Sequence, residues 1–558
     1  MQNKPTSKQQ VEISIYKGDK LLNENTPFVV NLLAPESKEQ TEKKVNADLI
    51  CVIDISGSMS GGKIHLVRES LKVLIDMMDP KDRIALVLFS SDAQLYYDLN
   101  YLTSENKSKL KNLINNINAS GGTNIASGLQ IAVDILKKEK NETTKEAGRS
   151  SSVLLLSDGQ DNYLNDEQLG EKLKSFTKGE GLSFTLNTFG YGYDHDPKIM
   201  NKLASLRDGS FFLVDDYNKV GEYFVAVLGG CISAISKNCE LNLKLLNNDC
   251  KIVKIFGKNN LYSHELKDNS FSTKMLQFIS GKEYTFVFEI KMDESKIKPG
   301  DNLLEVSFKY EDINDQITKT VTSNYKYEIK DLNFAKANEE YIRSHVYDVL
   351  EEAIKLRESY KYEEGKKILK DLKDWIKANY KGDNKDYLND IEKSEKMFDM
   401  NDINSNRNFI FANCQVRQMQ NKRMGSNNMY MNSCQMALQN NYQMNYAMSQ
   451  KAAPNPYNMQ FGSQSYPIAN NNLMPNIQAP IMQNNMQAHL MQNNMQAPPL
   501  FQQMPKNQFN PMYPPVQQMP MNQFNPMNPH IQQMPPKSVP YFNQNLNQMS
   551  QKPSNSHH

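Results

Sequence analysis

Between Ala47 and about Gly230 the chain carries five apolar runs, ADLICVID, RIALVLFS, SSVLLLSDG, SFTLNTFGYG and GSFFLVDD, separated by stretches of helical periodicity. Runs that are apolar on both faces predict strands of a largely parallel sheet buried between helices. The intervening stretches agree, since Ile64, Val67, Leu71, Leu74, Ile75 and Met78 recur at helical spacing behind the first run. This alternation restricts residues 47–230 to a doubly wound, mostly parallel α/β domain. A shorter, half-polar run, AQLYYDLNYL, reads as an antiparallel edge strand.

Both flanks of that domain alternate with period 2. Val11, Ile13 and Ile15 precede it; Tyr284, Phe286, Phe288, Ile290 and Leu304, Val306, Phe308, Tyr310 follow it. Such patterns predict half-buried antiparallel strands, and because domain termini often lie close together, the α/β domain is expected to be inserted in a β-sandwich built from residues 10–46 and 238–330. From 333 to 400 the pattern returns to helix. Val346, Val349, Leu350, Ala353 and Ile354, then Ile368, Leu369, Leu372, Trp375 and Ile376, predict an antiparallel hairpin. It is expected to cover a sheet edge; a peptide-binding groove is the alternative.

From about Asn401 to the end of the 558 residues the composition becomes Met, Asn, Gln and Pro, with Asp402 the single acidic residue against eight Lys and Arg. Such a segment buries too little apolar area to offset its chain entropy, so 401–558 is expected to be a disordered, prion-like tail. It holds a repeat of period 15 starting at Gln502, Gln517 and Gln532, and a second repeat, MQNNMQA, at Met482 and Met491. Self-association through this tail and an inert tail are both open. With a formal net charge of +1 overall, the first 400 residues carry about −6, which points away from nucleic acid. The segment MQNKPTSKQQ lacks a signal-peptide core, no apolar run approaches the roughly 20 residues of a membrane span, and the six cysteines form no C-x-x-C pair. A cytoplasmic protein is expected.

In an open doubly wound sheet ligands bind beyond the carboxyl ends of the strands. The first apolar run ends in DISGSMSGGK, which places Asp54, Ser56 and Ser58 at such an end. Two further loops reach the same crevice: SGGTNIASG with Thr123, and LLLSDGQD with Asp158. Taken singly, these are helix caps or ordinary turns. Taken together, two carboxylates and three hydroxyls at the ends of three strands form an oxygen-only set suited to Mg²⁺, Mn²⁺ or Ca²⁺ and poorly suited to Zn²⁺.

Asp54-x-Ser56-x-Ser58, Thr123 inside GGTN and Asp158 inside LLSDGQD resemble the metal-ion-dependent adhesion site of the von Willebrand factor A domain, in the expected order. The resemblance implies hydroxyl contacts from Ser56, Ser58 and Thr123, and Asp54 and Asp158 holding the ion directly or through water. It also implies an open coordination position filled by an Asp or Glu of a partner protein. A dication bound mainly by neutral hydroxyls stays electrophilic toward such a carboxylate. From about Pro27 to Ala378 the chain is similar to plant and protist members that continue into a β-rich and a helical region. Many plant members carry a RING-type zinc finger and are ubiquitin ligases; this chain shows no C-x-x-C or Cys/His cluster.

The function expected is therefore a non-enzymatic, cation-dependent protein-interaction module. A substrate-recruiting subunit of a ubiquitin ligase assembly and a scaffold acting mainly through its tail are the alternatives. A phosphoryl-transfer hydrolase of similar build would place a second carboxylate where Ser56 stands; no G-x-x-x-x-G-K-[ST] loop occurs, and GSMSG carries Met59 where a nucleophile elbow needs serine. No catalytic residue is assigned. In YDHDP, Asp196 followed by Pro197 predicts a helix N-cap rather than a second metal site with His195, and His345 is expected to be a surface or packing residue.

Overall fold

The computed structural model describes residues 11–35, 45–141, 148–215, 217–258, 261, 263–267, 269–329, 333–380, 382–399, 404–420 and 433–452. The chain opens with two antiparallel strands, β1 (Glu12–Lys17) and β2 (Thr26–Leu33). The α/β domain follows with β3 (Asn46–Asp54), β4 (Arg83–Phe89), β5 (Ala93–Tyr101), β6 (Arg149–Ser157), β7 (Thr185–Tyr191) and β8 (Phe211–Val214). They form one sheet of order β5-β4-β3-β6-β7-β8, parallel except for the antiparallel edge strand β5.

The helices of this domain are α1 (Gly62–Met77), α2 (Ser104–Asn115), α3 (Ile125–Asn141), α4 (Asp166–Thr177), α5 (Pro197–Leu206) and α6 (Tyr217–Ile232). Successive side chains of a strand point to opposite faces, so a run apolar at every position feeds two cores. Leu49, Cys51 and Ile53 of β3 pack with α1, α2 and α6. Ile50 and Val52 pack with α3, α4 and α5 on the other face. This is the doubly wound sheet that the apolar runs predict. It sets the carboxyl ends of β3 and β6 side by side at the centre.

Strands β9 (Ala234–Leu245), β10 (Cys250–Ile255), β11 (Ser263–Lys267), β12 (Ser270–Ile279), β13 (Glu283–Met292), β14 (Asn302–Asp312) and β15 (Thr318–Lys326) complete two further sheets. Their orders are β1-β2-β13-β10 and β11-β12-β9-β14-β15. Phe28, Val30, Phe286 and Phe288 of the first share a core with Leu241, Leu243, Val306 and Phe308 of the second. Strands from both sides of the α/β domain thus make one sandwich, and that domain is inserted in it.

Helices α7 (Phe334–Glu358) and α8 (Tyr362–Asn379) form the expected hairpin, joined by α9 (Lys385–Glu395). The hairpin covers a sheet face rather than an edge: Ala337 and Tyr341 of α7 pack on Val29 and Val287, the residues of β2 and β13 that point away from the sandwich core. His345 packs edge-on against Trp375, ring centroids 6.0 Å apart.

The disorder expected for 401–558 needs correcting over 405–420 and 433–452; 421–432 and 453–558 lie outside the described residues. Helices α10 (Ser405–Gln420) and α11 (Ser433–Ala452) form those two stretches. Phe409, Ile410, Ala412, Cys414 and Val416 give α10 an apolar stripe that the Asn- and Gln-rich average conceals. α10 packs against α5 and β8, the edge strand of the central sheet, and α11 packs on α6. Both repeats lie outside the described residues, as does the self-association assigned to them.

Candidate metal centre

The crevice at the carboxyl end of the central sheet is sewn together by backbone hydrogen bonds between loops. Ile55 N donates to Phe89 O (2.8 Å), Gly57 N to Gly121 O (2.9 Å) and Ser120 N to Ile55 O (2.6 Å). The loop after β3 is thereby held against the loop after β4 and the loop before α3. Asn162 Oδ1 accepts from Thr123 N at 2.7 Å, which adds the loop after β6. Asp161 accepts from Ile125 N at 2.8 Å and so ties that loop to the first turn of α3.

Asp54, the last residue of β3, is fully buried, and protein donors reach both of its oxygens. Ser56 N donates to Oδ1 (2.8 Å) and Ser157 Oγ to Oδ2 (2.6 Å). Burial pushes its carboxyl up to about 6; the bonds from Ser157 and Ser56 oppose the rise and the charge of Asp158 adds to it. The hydroxyls of Ser56 and Ser58 lie 3.0 Å apart. The structure thus brings Asp54, Ser56, Ser58 and Asp158 together, and buries Thr123 on the adjoining loop.

Asp158 is the unbalanced member. It is fully buried; Oδ2 accepts from Lys63 Nζ at 3.1 Å, while Oδ1 has no hydrogen-bond partner. A buried carboxylate oxygen without a donor is costly unless a cation satisfies it. The next residue, Gly159, has φ +71°, and a Cβ there would come within 2.9 Å of the Asp196 carbonyl, so only glycine carries the chain away from Asp158 at this angle.

Lys63 and Ser157 were not singled out by sequence reasoning. Lys63 Nζ bridges Asp158 and Asp194, the latter at 2.7 Å. Burial works to lower its pKa, but the bonds to Asp194 and Asp158 outweigh it and the ammonium is stabilised. The spacing from Asp54 to Lys63 was the available signal, because it returns the chain to the crevice on the first turn of α1.

The other candidates resolve as packing. Asp196 caps α5, its Oδ1 accepting from Lys198 N (2.8 Å) and Ile199 N (3.3 Å). His195 is buried, with Nδ1 2.5 Å from Gly192 O and its ring edge-on to Phe211. Its Nε2 would lie 2.7 Å from a Cβ at position 190, so Gly190 makes room for the ring. Among the described residues no three His, Cys, Asp or Glu side chains converge as a metal cage. The donor set at the sheet end is instead two carboxylates with hydroxyls, which fits a hard dication coordinated in part by water.

A match to the von Willebrand factor type A domain family spans residues 48–225, and with the doubly wound sheet it identifies that segment as a von Willebrand factor type A domain. The chain is 33% identical over 180 residues to the human inter-alpha-trypsin inhibitor heavy chain H4, covering 32% of this chain and 19% of that protein. It is 25% identical over 226 residues to the uncharacterized protein YfbK of Escherichia coli, covering 40% of this chain and 37% of that one. The chain therefore spans well under half the length of these relatives. Among solved structures, a von Willebrand factor type A protein from Catenulispora acidiphila superposes with a TM-score of 0.53 at 15% identity. That likeness covers 74% of this chain and 98% of the other, so the shared fold extends past the α/β domain.

Proposed function

We propose that this protein is a cation-dependent interaction module. Asp54, Ser56, Ser58, Thr123 and Asp158 would hold Mg²⁺, with Mn²⁺ or Ca²⁺ as substitutes, and the ion's open position would take an Asp or Glu side chain of a partner protein. The observation that carries this reading is the donor-free Asp158 Oδ1, fully buried in the crevice that holds Asp54 and the paired hydroxyls of Ser56 and Ser58. Between residues 403 and 558 the sequence offers no side-chain carboxylate for that position, since no Asp or Glu follows Asp402 there.

The reading is non-enzymatic and cytoplasmic. Among the described residues Cys51, Cys231, Cys239, Cys250 and Cys414 are free and buried, as suits a reducing compartment. No helix among the described residues is long and apolar enough to cross a membrane.

The test is thermal unfolding of the purified chain in EDTA and in rising Mg²⁺, Mn²⁺ or Ca²⁺. Absence of any shift up to weak-site concentrations, on the order of 10⁻³ M, would overturn the metal reading. Partners captured in Mg²⁺ should be lost both in EDTA and with Ser58→Ala. Hydrolysis of phosphate esters, or charging of ubiquitin, that disappears in Asp54→Asn would overturn the non-enzymatic reading.

A further inference from the structure

Lys63 stands on the first turn of α1, shared between a carboxylate inside the crevice and one on its rim. Its Nζ lies 3.1 Å from Oδ2 of the fully buried Asp158 and 2.7 Å from Oδ2 of Asp194, whose side chain is 62% exposed. The rim loop is shaped around this pair. Gly192 has φ +83°, and a Cβ there would lie 2.6 Å from Asp194 Oδ1 and 2.8 Å from Lys63 Cε. Gln160 Nε2 donates to the Asp194 carbonyl at 2.6 Å, which fastens the rim to the loop that carries Asp158.

A dication entering beside Asp158 meets this ammonium as a like charge a few ångströms away, in a setting where water screens poorly. The repulsion is relieved if the ammonium leaves Asp158, and a second carboxylate is already in contact to receive it. Without a dication, the same ammonium spares Asp158 from being a buried charge with no partner.

We propose that Lys63 is the exchangeable counter-cation of this crevice: it pairs with Asp158 in the metal-free chain and yields to an entering dication by moving wholly onto Asp194. The proposal rests on the metal-binding reading above and deepens it, because it makes Lys63 the residue that sets the cation affinity. Two consequences have opposite signs. Removing the ammonium strengthens dication binding, and removing its refuge on the rim weakens it.

The experiment uses the full chain and thermal unfolding in EDTA and along MgCl₂ and MnCl₂ titrations. Lys63→Met should tighten the dissociation constant about tenfold and lower the melting temperature in EDTA, while Lys63→Arg, which keeps the charge, stays within about twofold of wild type. Asp194→Asn should weaken binding about threefold, and that loss should vanish when Lys63→Met is added. Lys63→Gln gives the same direction where Lys63→Met does not fold. A cation shift in wild type with unchanged or weaker binding in Lys63→Met and Lys63→Gln overturns the exchange and leaves the metal reading standing. No shift in either wild type or the Lys63 variants overturns both. A shift seen only once Lys63 is replaced also overturns the exchange, since the ammonium then blocks the site and does not yield it.

Discussion

Strand β3 carries a buried aspartate near each end, and the two are treated in opposite ways. Asp48, near the amino end, is saturated by cations of its own chain. Arg83 donates through Nε and Nη2 (both 2.8 Å), and Arg149 through Nε (2.9 Å) and Nη2 (2.6 Å). Arg83 also pairs with Glu139 at 2.7 Å. A cavity of about 600 Å³ opens there, yet its charged lining is paired within the chain, Lys237 with Glu311 at 3.0 Å included. Asp54, at the carboxyl end, meets only serine donors, and its neighbour Asp158 shares one lysine and keeps a bare oxygen. Volume does not mark the proposed cation site here; unmet charge does.

The sharpest way to break this contrast is Asp48→Ala. It leaves two guanidinium groups without their shared carboxylate and should destabilise the chain by about 3–5 kcal/mol in urea unfolding. Cation affinity should not change. The six residue steps from Asp48 to Asp54 span roughly 20 Å of extended strand, about twice the distance over which salt at 0.1 M screens a charge. A cost below about 1 kcal/mol, within the range of an exposed ion pair, or an altered cation affinity, would mean that the two ends are not independent.

A smaller effect comes from Asp54. Its folded carboxyl titrates at about 6, against about 3.9 in an unfolded chain, so the folded state holds the proton more tightly. In EDTA the stabilisation from this group is complete below about pH 4 and is lost as the pH rises through 6, by at most about 3 kcal/mol. Asp54→Asn should flatten that part of the stability profile. In Mg²⁺ the wild-type profile should recover above pH 6, because the cation requires the ionised carboxylate. Equal slopes in EDTA for wild type and Asp54→Asn would remove Asp54 as a strained group.

The smallest effect isolates a single hydroxyl. At a free Mg²⁺ concentration about tenfold above the dissociation constant, binding stabilises the native chain by roughly 1.4 kcal/mol. Ser58→Ala should remove most of that increment while moving the melting temperature in EDTA little, since a loop hydroxyl on the crevice contributes little to packing. Loss of stability in EDTA equal to the loss in Mg²⁺ would make Ser58 a structural residue of the loop.

Much of this was legible in the chain itself. Unbroken apolar runs specify strands buried on both faces, and period-2 runs specify strands buried on one, so the sheets follow from local pattern. Asp54, Ser56, Ser58 and Asp158 stood out because polar residues directly after buried strands fall where a parallel sheet opens; Thr123, expected at a third strand end, lies instead on the loop between α2 and α3. Helix α10 did not stand out, because its five buried apolar residues among many amides vanish in a composition average.

What the sequence determined alone is therefore what depends on neighbours along the chain: strand and helix periodicity, the edge character of β5, and the type of donor at each strand end. What only the tertiary structure decided is charge balance. Asp48 and Asp158 are both aspartates in apolar strand contexts, and nothing local shows that two arginines from adjoining strands close over the first. Nor does anything local show that one lysine, 95 positions away, divides itself between the second and Asp194. Burial raises the strength of every such pairing, and long-range packing alone chooses the partners, so the donor-free oxygen of Asp158 arises only in the folded chain.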